Sequence, residues 1–222
     1  RMFESCRAHQ YDTLSSNMID IQLNKMDKRM FEYLNHLHFG KVDHKDLSWE
    51  EHSLRPASSW VFPEMLETYF KNVFVDNKDI INNKKVLDIG CEYGTKIPWF
   101  AKMQPRELVC MDPNKEHFYI ANYVSSLVSG LTTTNTICVN SKAEDFTLTA
   151  DTIFLLSVNH HFEDQFAIYE RLDCDHLVLD TWTDSAISIS RITNFLEKKY
   201  TVESETYLNF KKNRVVMRYK KK

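Results

Sequence analysis

The sequence predicts an α/β fold in which helices cover both faces of a mostly parallel sheet. From Lys84 onward, short apolar runs of strand length alternate with segments whose apolar residues recur every three or four positions. Strands that alternate with helices need crossover connections, and these connections produce parallel pairing. The last two apolar runs are joined only by Lys211-Lys212-Asn213, which predicts a closing hairpin and one antiparallel strand.

Each predicted element follows from its local pattern. The predicted strands are 86–89, 107–111, 136–139, 152–158, 176–180, 202–210 and 214–219. The predicted helices between them are 95–103, 114–128, 163–171 and 185–199. Asn114 is expected to cap the second of these helices, since its side chain can accept hydrogen bonds from the first backbone N–H groups.

The N-terminal third is predicted to be a separate helical part of the molecule. Helical spacing runs over 14–37 and 60–74, a polar and His-rich loop lies between them, and residues 76–85 are expected to be a polar lead-in. We therefore expect an N-terminal helical extension or lid over 1–80 and one domain over 81–222. Because the chain opens with Arg1, it is expected to be part of a larger polypeptide.

Composition narrows the functional classes. The chain has 222 residues, is 43% hydrophobic and carries a net charge of −3, so it is not a globally basic nucleic-acid binder. Its five cysteines show no CxxC spacing, which favours a reducing, cytoplasmic setting. No apolar run reaches about 18 residues, so no membrane span is expected. The His residues show no recognised ligand spacing, so no metal is expected, and the oligomeric state stays open.

The first strand runs into a turn that holds two of the four glycines, Gly90 and Gly94. Glycine is needed where the backbone takes positive φ or approaches a ligand closely. The segment Asp88-Ile89-Gly90-Cys91-Glu92-Tyr93-Gly94 resembles motif I of the class I S-adenosylmethionine (SAM)-dependent methyltransferases. The resemblance extends to Asp112 after the second strand, to Ala143-Glu144-Asp145 after the third, and to the final hairpin, which is similar to the family's reversed seventh strand.

This resemblance implies a Rossmann-like, seven-stranded methyltransferase fold with SAM as cofactor. The cofactor-binding residues that it implies are Asp88, Gly90, Cys91, Glu92, Gly94, Asp112, Pro113, Glu144, Asp145 and Ser157. In such proteins the first acid holds the methionine ammonium, the acid after the second strand accepts from the ribose hydroxyls, and Asp145 would accept from the adenine amino group. Two plain alternatives stay open: Asp112 as a turn and cap residue, and Asp145 as an ordinary loop acid.

One position departs from the family pattern. Glu92 stands where the family usually has a third glycine. A side chain there must face away from the cofactor or touch it, and an inward carboxylate would attract the ammonium but repel the carboxylate of the cofactor. This departure motivates a further alternative, a non-catalytic methyltransferase-like binding or activator subunit.

The acceptor side is expected after the fourth strand, at Ser157-Val158-Asn159-His160-His161-Phe162. The polar-His-aromatic order resembles mRNA cap guanine-N7 methyltransferases and tRNA wobble-uridine carboxymethyltransferases. It implies Asn159, His160 and His161 as catalytic candidates, with Phe162 contacting the substrate. An N7 acceptor needs only in-line positioning, whereas an oxygen acceptor would use a histidine as general base. Alternatively, one histidine only packs at the strand end.

RNA is the leading expected partner, with methyl transfer to a cap guanine or a tRNA base. Arg55 and Trp60 could hold a phosphate and stack a base, although Trp60 is as readily a core residue. The basic C-terminal tail could contact phosphates or could be a solvated hairpin. The rival within the enzyme class is a small-molecule methyltransferase.

Overall fold

The computed structural model describes residues 71–94, 96–130, 132–182, 189–208 and 214–222, apart from the side chains of His160 and Trp182. The predicted N-terminal helices before residue 71 and the substrate candidates Arg55 and Trp60 lie outside these ranges, as does the loop that joins the last two strands. The proposed division of the chain at residue 81 therefore stays a prediction.

In the described residues, seven strands form one sheet in the order β3-β2-β1-β4-β5-β7-β6. The strands are β1 (Lys85–Ile89), β2 (Glu107–Asp112), β3 (Asn135–Asn140), β4 (Leu148–Leu156), β5 (Leu172–Trp182), β6 (Tyr200–Leu208) and β7 (Arg214–Lys221). The first five pair in parallel, and β7 pairs antiparallel with both β5 and β6. The predicted mixed sheet with its reversed last strand is confirmed.

Helices connect the strands as the alternating pattern predicts. The α-helices are α1 (Lys78–Ile81), α2 (Ile97–Lys102), α3 (Lys115–Ser129), α4 (Gln165–Arg171) and α5 (Ile189–Leu196). A π-helical turn spans Lys71–Val75, and 3₁₀ turns span Ala143–Asp145 and Asn159–His161. Asn114 caps α3 as predicted, because its Oδ1 accepts from the backbone N–H groups of Glu116 and His117.

Two apolar clusters pack on opposite faces of the sheet. On one face, the ring of Phe100 meets Phe74 and Phe154 edge-on, with centroid distances of 4.8 and 5.0 Å. On the other, Tyr169 and Tyr219 are fully buried. No helix among the described residues is long and apolar enough to cross a bilayer.

The polar lead-in predicted over 76–85 contains a short helix that was not predicted. Lys78–Ile81 forms α1, and its two isoleucines are buried against the sheet. The Thr152 hydroxyl on β4 donates to the Ile80 carbonyl at 2.5 Å. The many polar residues of this segment hid a short helix that contact with β4 holds in place.

Two strands also begin earlier than predicted. β4 begins at Leu148 and β5 at Leu172. At these ends the two strands pair with each other, Leu148 with Leu172 and Thr149 with Asp173. In this part of β4, buried and exposed residues alternate, so one face contacts the core and the other faces water. The prediction relied on continuous apolar runs and missed these half-buried strand ends.

Candidate functional site

The sheet order creates a crevice at the carboxyl ends of β1 and β4. The chain moves from β1 outward to β2 and β3, then returns to place β4 on the other side of β1. Ligands of open α/β sheets bind at such switch points. A cavity of about 400 Å³ lies there, within the range of small-molecule sites. Its lining includes Gly90, Glu92, Lys96, Asp112, Pro113, His117, Ser141, Lys142, Glu144, Ser157, His161, Phe162 and Glu163.

The turn after β1 has no room for a side chain at either of its two glycines. Gly90 has φ of +75°, and a Cβ there would lie 2.4 Å from Cγ2 of Val158. Gly94 has φ of +74°, and a Cβ there would lie 2.9 Å from the Cα of Ala121 on α3. Both glycines therefore permit a left-handed backbone and close packing, which brings the turn against β4 and α3.

Glu92 lies between these glycines in the same left-handed region, with φ of +48°. This conformation explains why a glycine would be favoured at the position. The backbone N–H of Glu92 donates to Oδ2 of Asp112 at 3.0 Å. The hydrogen bond joins the turn after β1 to the end of β2, and the Glu92 residue lines the cavity.

Asp112 ends β2 and is held by three donors. Its Oδ2 accepts from Glu92, while its Oδ1 accepts from the backbone N–H of Asn114 at 2.9 Å and from Nδ1 of His117 at 3.1 Å. Burial opposes ionisation of Asp112, but the hydrogen bonds from His117 and Asn114 keep its pKa below the ordinary value. Asp112 is thus an ionised acceptor at neutral pH, and it faces the cavity.

Asp88 on β1 is the buried carboxylate of the site. It is 1% exposed, and neither of its oxygens has a hydrogen-bond partner among the described residues. Burial raises the pKa of Asp88 from 3.8 to about 6, while the nearby Lys96 ammonium opposes the rise. Burial opposes the charge of Lys96 in turn, but the Asp88 and Glu92 carboxylates raise its pKa. An unpartnered buried carboxylate is costly, so the site is built for a cationic or hydrogen-bonding partner.

The segment after β3 forms another wall of the cavity. The Asn140 side-chain amide donates to the Asp112 carbonyl at 3.0 Å, and the Ser141 N–H donates to the same oxygen at 3.2 Å. Ser141, Lys142, Ala143 and Glu144 line the cavity there. Asp145 is next in the chain but does not line the cavity, so Glu144 is the acidic residue that this segment contributes to the lining.

The far wall of the cavity comes from the end of β4. Ser157 has φ of +61°, and its N–H donates to the Asp180 carbonyl at 3.2 Å. A buried ion pair supports this corner, because the Arg214 guanidinium binds both the Asp180 carboxylate and the Ser157 hydroxyl. Both charged side chains are at most 1% exposed. The corner is therefore fixed by β4, β5 and β7 together.

The structure separates the acceptor-side candidates. His161 and Phe162 line the cavity, as does Glu163, which the sequence did not single out. Asn159 does not line the cavity. It is buried, and its Oδ1 accepts from the Tyr169 hydroxyl at 2.9 Å, so it holds α4 against the end of β4. The side chain of His160 is outside the described part of the molecule.

The predicted cofactor residues divide in the same way. Those that line the cavity are Gly90, Glu92, Asp112, Pro113, Glu144 and Ser157. Asp88, Cys91, Gly94 and Asp145 are absent from the lining: the first lies beneath the turn, and Cys91 and Gly94 shape the turn through its backbone. Their roles in binding stay predictions.

Sequence reasoning missed Lys96 and His117, both of which line the cavity. His117 is three residues after the cap Asn114, so it lies in the first turn of α3, at the helix end that faces the end of β2. Its ring meets Tyr93 at a centroid distance of 4.5 Å. The sequence signal available for His117 was a polar residue in the first turn of the helix that follows β2.

The basic residues near the end of β7 lie away from this cavity, whereas Arg214 at its start is the buried partner of Asp180. Lys221 pairs with Asp173 at 2.7 Å, and Arg218 pairs with Asp79 and Glu203. Because β7 runs antiparallel, its last residues lie at the amino ends of the parallel strands, opposite the cavity. The described residues contain no group of three His, Cys, Asp or Glu side chains placed to hold a metal ion.

No protein-family model matches the chain, and no curated protein matches it in sequence. Solved structures resemble it in fold. Magnesium protoporphyrin IX methyltransferase (ChlM) from Synechocystis PCC 6803 with bound SAM is 15% identical, with a TM-score of 0.58 over 72% of this chain and 79% of that one. The same enzyme with bound S-adenosylhomocysteine (SAH) is 13% identical, with a TM-score of 0.59 over 72% of this chain and 83% of that one.

A SAM-dependent methyltransferase from Aquifex aeolicus is also similar, at 18% identity and a TM-score of 0.52 over 68% of this chain and 92% of that one. These likenesses and the strand order agree with the fold that motif I predicted. The chain has the Rossmann-like fold of the class I SAM-dependent methyltransferases.

Proposed function

We propose that this chain binds SAM and transfers its methyl group to an acceptor at the end of β4. The observation that carries the proposal is Asp88, a buried carboxylate without a hydrogen-bond partner among the described residues, beneath the glycine turn. An amino-acid ammonium is the kind of partner that would satisfy it. SAM brings an ammonium together with a ribose and an adenine. Asp88 is the buried group suited to the ammonium, and Asp112 and Glu144 in the cavity lining are suited to the ribose and the adenine.

The residues present fit the parts of SAM. Asp88 would hold the ammonium of SAM. The Lys96 ammonium would attract the carboxylate of SAM and so compensate for its repulsion by Glu92. Asp112 would accept from a ribose hydroxyl, because Oδ2 receives only one donor in the described structure. Glu144 would accept from the adenine amino group. When bound, SAM supplies a methyl group on a sulfonium, which makes that carbon electrophilic.

The chain's own residues would position the acceptor and handle its proton. Phe162 offers an apolar surface beside the cavity, and His161 is the nearby group that can take a proton from an oxygen or nitrogen acceptor. The Ser157 corner is held by buried hydrogen bonds, so the direction of approach is fixed before the acceptor arrives. In-line displacement then needs positioning more than acid-base chemistry.

We further propose that the acceptor is a small molecule. Arg218 and Lys221 of β7 are paired with acids and lie at the opposite edge of the sheet from the cavity, and Arg214 at the cavity edge is paired with the buried Asp180 carboxylate. The cavity lining mixes Glu92, Glu144 and Glu163 with Lys96 and Lys142, which does not favour a polyphosphate. ChlM, one of the similar structures, is named for a porphyrin substrate.

RNA is the second candidate acceptor, and the His161-Phe162 pair after β4 favours it. Filter binding at two salt concentrations separates the two candidates, because RNA affinity should fall steeply with salt when phosphates are contacted. A transfer screen with tritiated SAM over capped RNA, uncapped RNA, tRNA and a metabolite pool then names the class. Label in an RNA fraction would exclude the small-molecule proposal.

Cofactor binding is tested first by isothermal titration with SAM and with SAH. We expect both to bind the unmodified chain, and Asp88→Asn to weaken both by at least about tenfold. Asp173→Asn is the matched control, since this aspartate is exposed at the opposite edge. No heat and no thermal stabilisation with either ligand would refute the enzyme and favour a non-catalytic subunit.

A further inference from the structure

His117 is hydrogen-bonded to Asp112, the carboxylate that would accept from the ribose hydroxyls of SAM. Its Nδ1 lies 3.1 Å from Oδ1 of Asp112, and this oxygen already accepts from the backbone N–H of Asn114 at 2.9 Å. Because a carboxylate only accepts, Nδ1 must carry the proton in this contact. Oδ1 of Asp112 therefore accepts two hydrogen bonds, and Oδ2, which accepts one, can accept a second from a ligand.

The surroundings of His117 are acidic on every described element that faces it. Asp112 faces it from β2, Glu92 and the Tyr93 ring from the turn after β1, and Glu116 from its own helix. The side chain is 23% exposed and lines the cavity, so solvent protons reach it. The hydrogen bond with Asp112 raises the pKa of His117 above its ordinary value, although burial opposes the rise.

We propose that His117 is a specificity-determining residue that makes the preference between SAM and its demethylated product depend on pH. This inference rests on the proposed function. SAM carries a sulfonium charge beside the ribose, which S-adenosylhomocysteine (SAH) lacks. An imidazolium at His117 adds a like charge next to the ribose acceptor, so it disfavours SAM relative to SAH. Neutral His117 keeps the hydrogen bond to Asp112 and removes the repulsion.

The Asp88 carboxylate also titrates in mildly acidic solution, with a pKa of about 6. Its protonation weakens both ligands through their shared amino-acid tail, and it also removes a negative charge that favours the sulfonium of SAM. The affinity ratio alone therefore does not separate Asp88 from His117. A variant that cannot be protonated at residue 117 separates them, because Asp88 is intact in it.

The experiment measures Kd for SAM and for SAH by titration at about pH 5.5 and about pH 8.5, on either side of the ordinary histidine pKa. We expect the Kd ratio of SAM to SAH to rise on the order of tenfold at the lower pH, as a like charge in one site produces. His117→Gln keeps a side-chain donor toward Asp112 but cannot be protonated. We expect it to remove most of the pH dependence of the ratio, and the part that remains is the contribution of Asp88.

His176→Gln is the matched comparison, because this histidine lies on β5 and is absent from the cavity lining. It should leave the pH dependence of the ratio in place. Loss of that dependence in His176→Gln, or its full persistence in His117→Gln, would overturn the inference while the proposed function stood. Absence of binding by both ligands at both pH values would overturn the proposed function and the inference with it.

Discussion

Replacing Asp88 with asparagine should stabilise the free protein at neutral pH while it weakens cofactor binding. The carboxylate is buried and has no hydrogen-bond partner among the described residues. Its pKa is raised from 3.8 to about 6, which corresponds to a cost of about 3 kcal/mol when the group is ionised in the folded state. The neutral amide removes this cost but loses about 1–3 kcal/mol of its own if its polar atoms stay unsatisfied.

The pH dependence separates these two contributions. A carboxyl group with a raised folded-state pKa costs nothing below the unfolded-state pKa of 3.8, and it has its full cost above the folded-state pKa of about 6. At about pH 4 the wild-type residue is protonated in the folded state and partly ionised in the unfolded state, so about 0.5 kcal/mol of the cost remains. The penalty of the amide does not change with pH. The free energy of unfolding of Asp88→Asn minus that of wild type should therefore fall by about 2 kcal/mol from about pH 7.5 to about pH 4.

Urea denaturation of both proteins at several pH values measures this difference directly. Asp173→Asn is the control of opposite sign, because the Lys221 ammonium lowers the pKa of that exposed carboxyl group. Its variant should be slightly less stable at neutral pH, and the gap should close as pH falls. An Asp88→Asn difference that stays constant from pH 7.5 to pH 4 would refute the assignment of Asp88 as a desolvated, unpartnered charge.

Three further substitutions test the cavity walls. Glu92→Gly removes the cost of a left-handed backbone at a residue with a side chain, and it should raise the free energy of unfolding by about 0.5 kcal/mol in urea denaturation. A decrease of more than about 1 kcal/mol would contradict this prediction. Asp112→Asn removes one acceptor from the backbone donors and should cost about 1–3 kcal/mol, with SAM affinity at least about tenfold weaker by titration. Gly90→Ala places a Cβ 2.4 Å from Val158 and should cost about 3 kcal/mol in thermal unfolding. The control Gly130→Ala meets its nearest neighbour, the Leu127 carbonyl oxygen, at an ordinary contact distance of 3.6 Å and should stabilise by about 0.5 kcal/mol. Equal effects of the two alanines would mean that the turn is not close-packed.

The sequence was sufficient for the sheet and for the backbone of the site, because both depend on local patterns. Alternating apolar runs specified the strands, and a glycine spacing of four after β1 specified the turn. Asp112 was found because it ends a strand and precedes Pro113 and Asn114, which begin the next helix. Such features lie close together in the chain, so no tertiary contact had to be known.

Side-chain directions were not predictable in the same way. Asn159 and His161 are two residues apart after β4, yet one is buried against Tyr169 and the other lines the cavity. Their separation depends on the 3₁₀ turn that they share, and a polar-His-aromatic pattern does not reveal that turn. Lys96 and His117 reach the cavity from the N-terminal ends of α2 and α3, and only the packing of those helices on the sheet brings them together.

Glu92 was the main departure from the motif, and its environment explains how the site accommodates it. Its left-handed backbone directs its N–H to Asp112, so the strain at this residue is coupled to the acid that would hold the ribose. Its carboxylate adds negative charge beside Asp88, but the Lys96 ammonium is close enough to respond to both. A glycine would supply the same turn without a charge that needs balancing. The charges of Glu92 and Lys96 thus partly balance each other, and substitution of either residue should change the affinity of the cavity for the amino-acid part of a ligand.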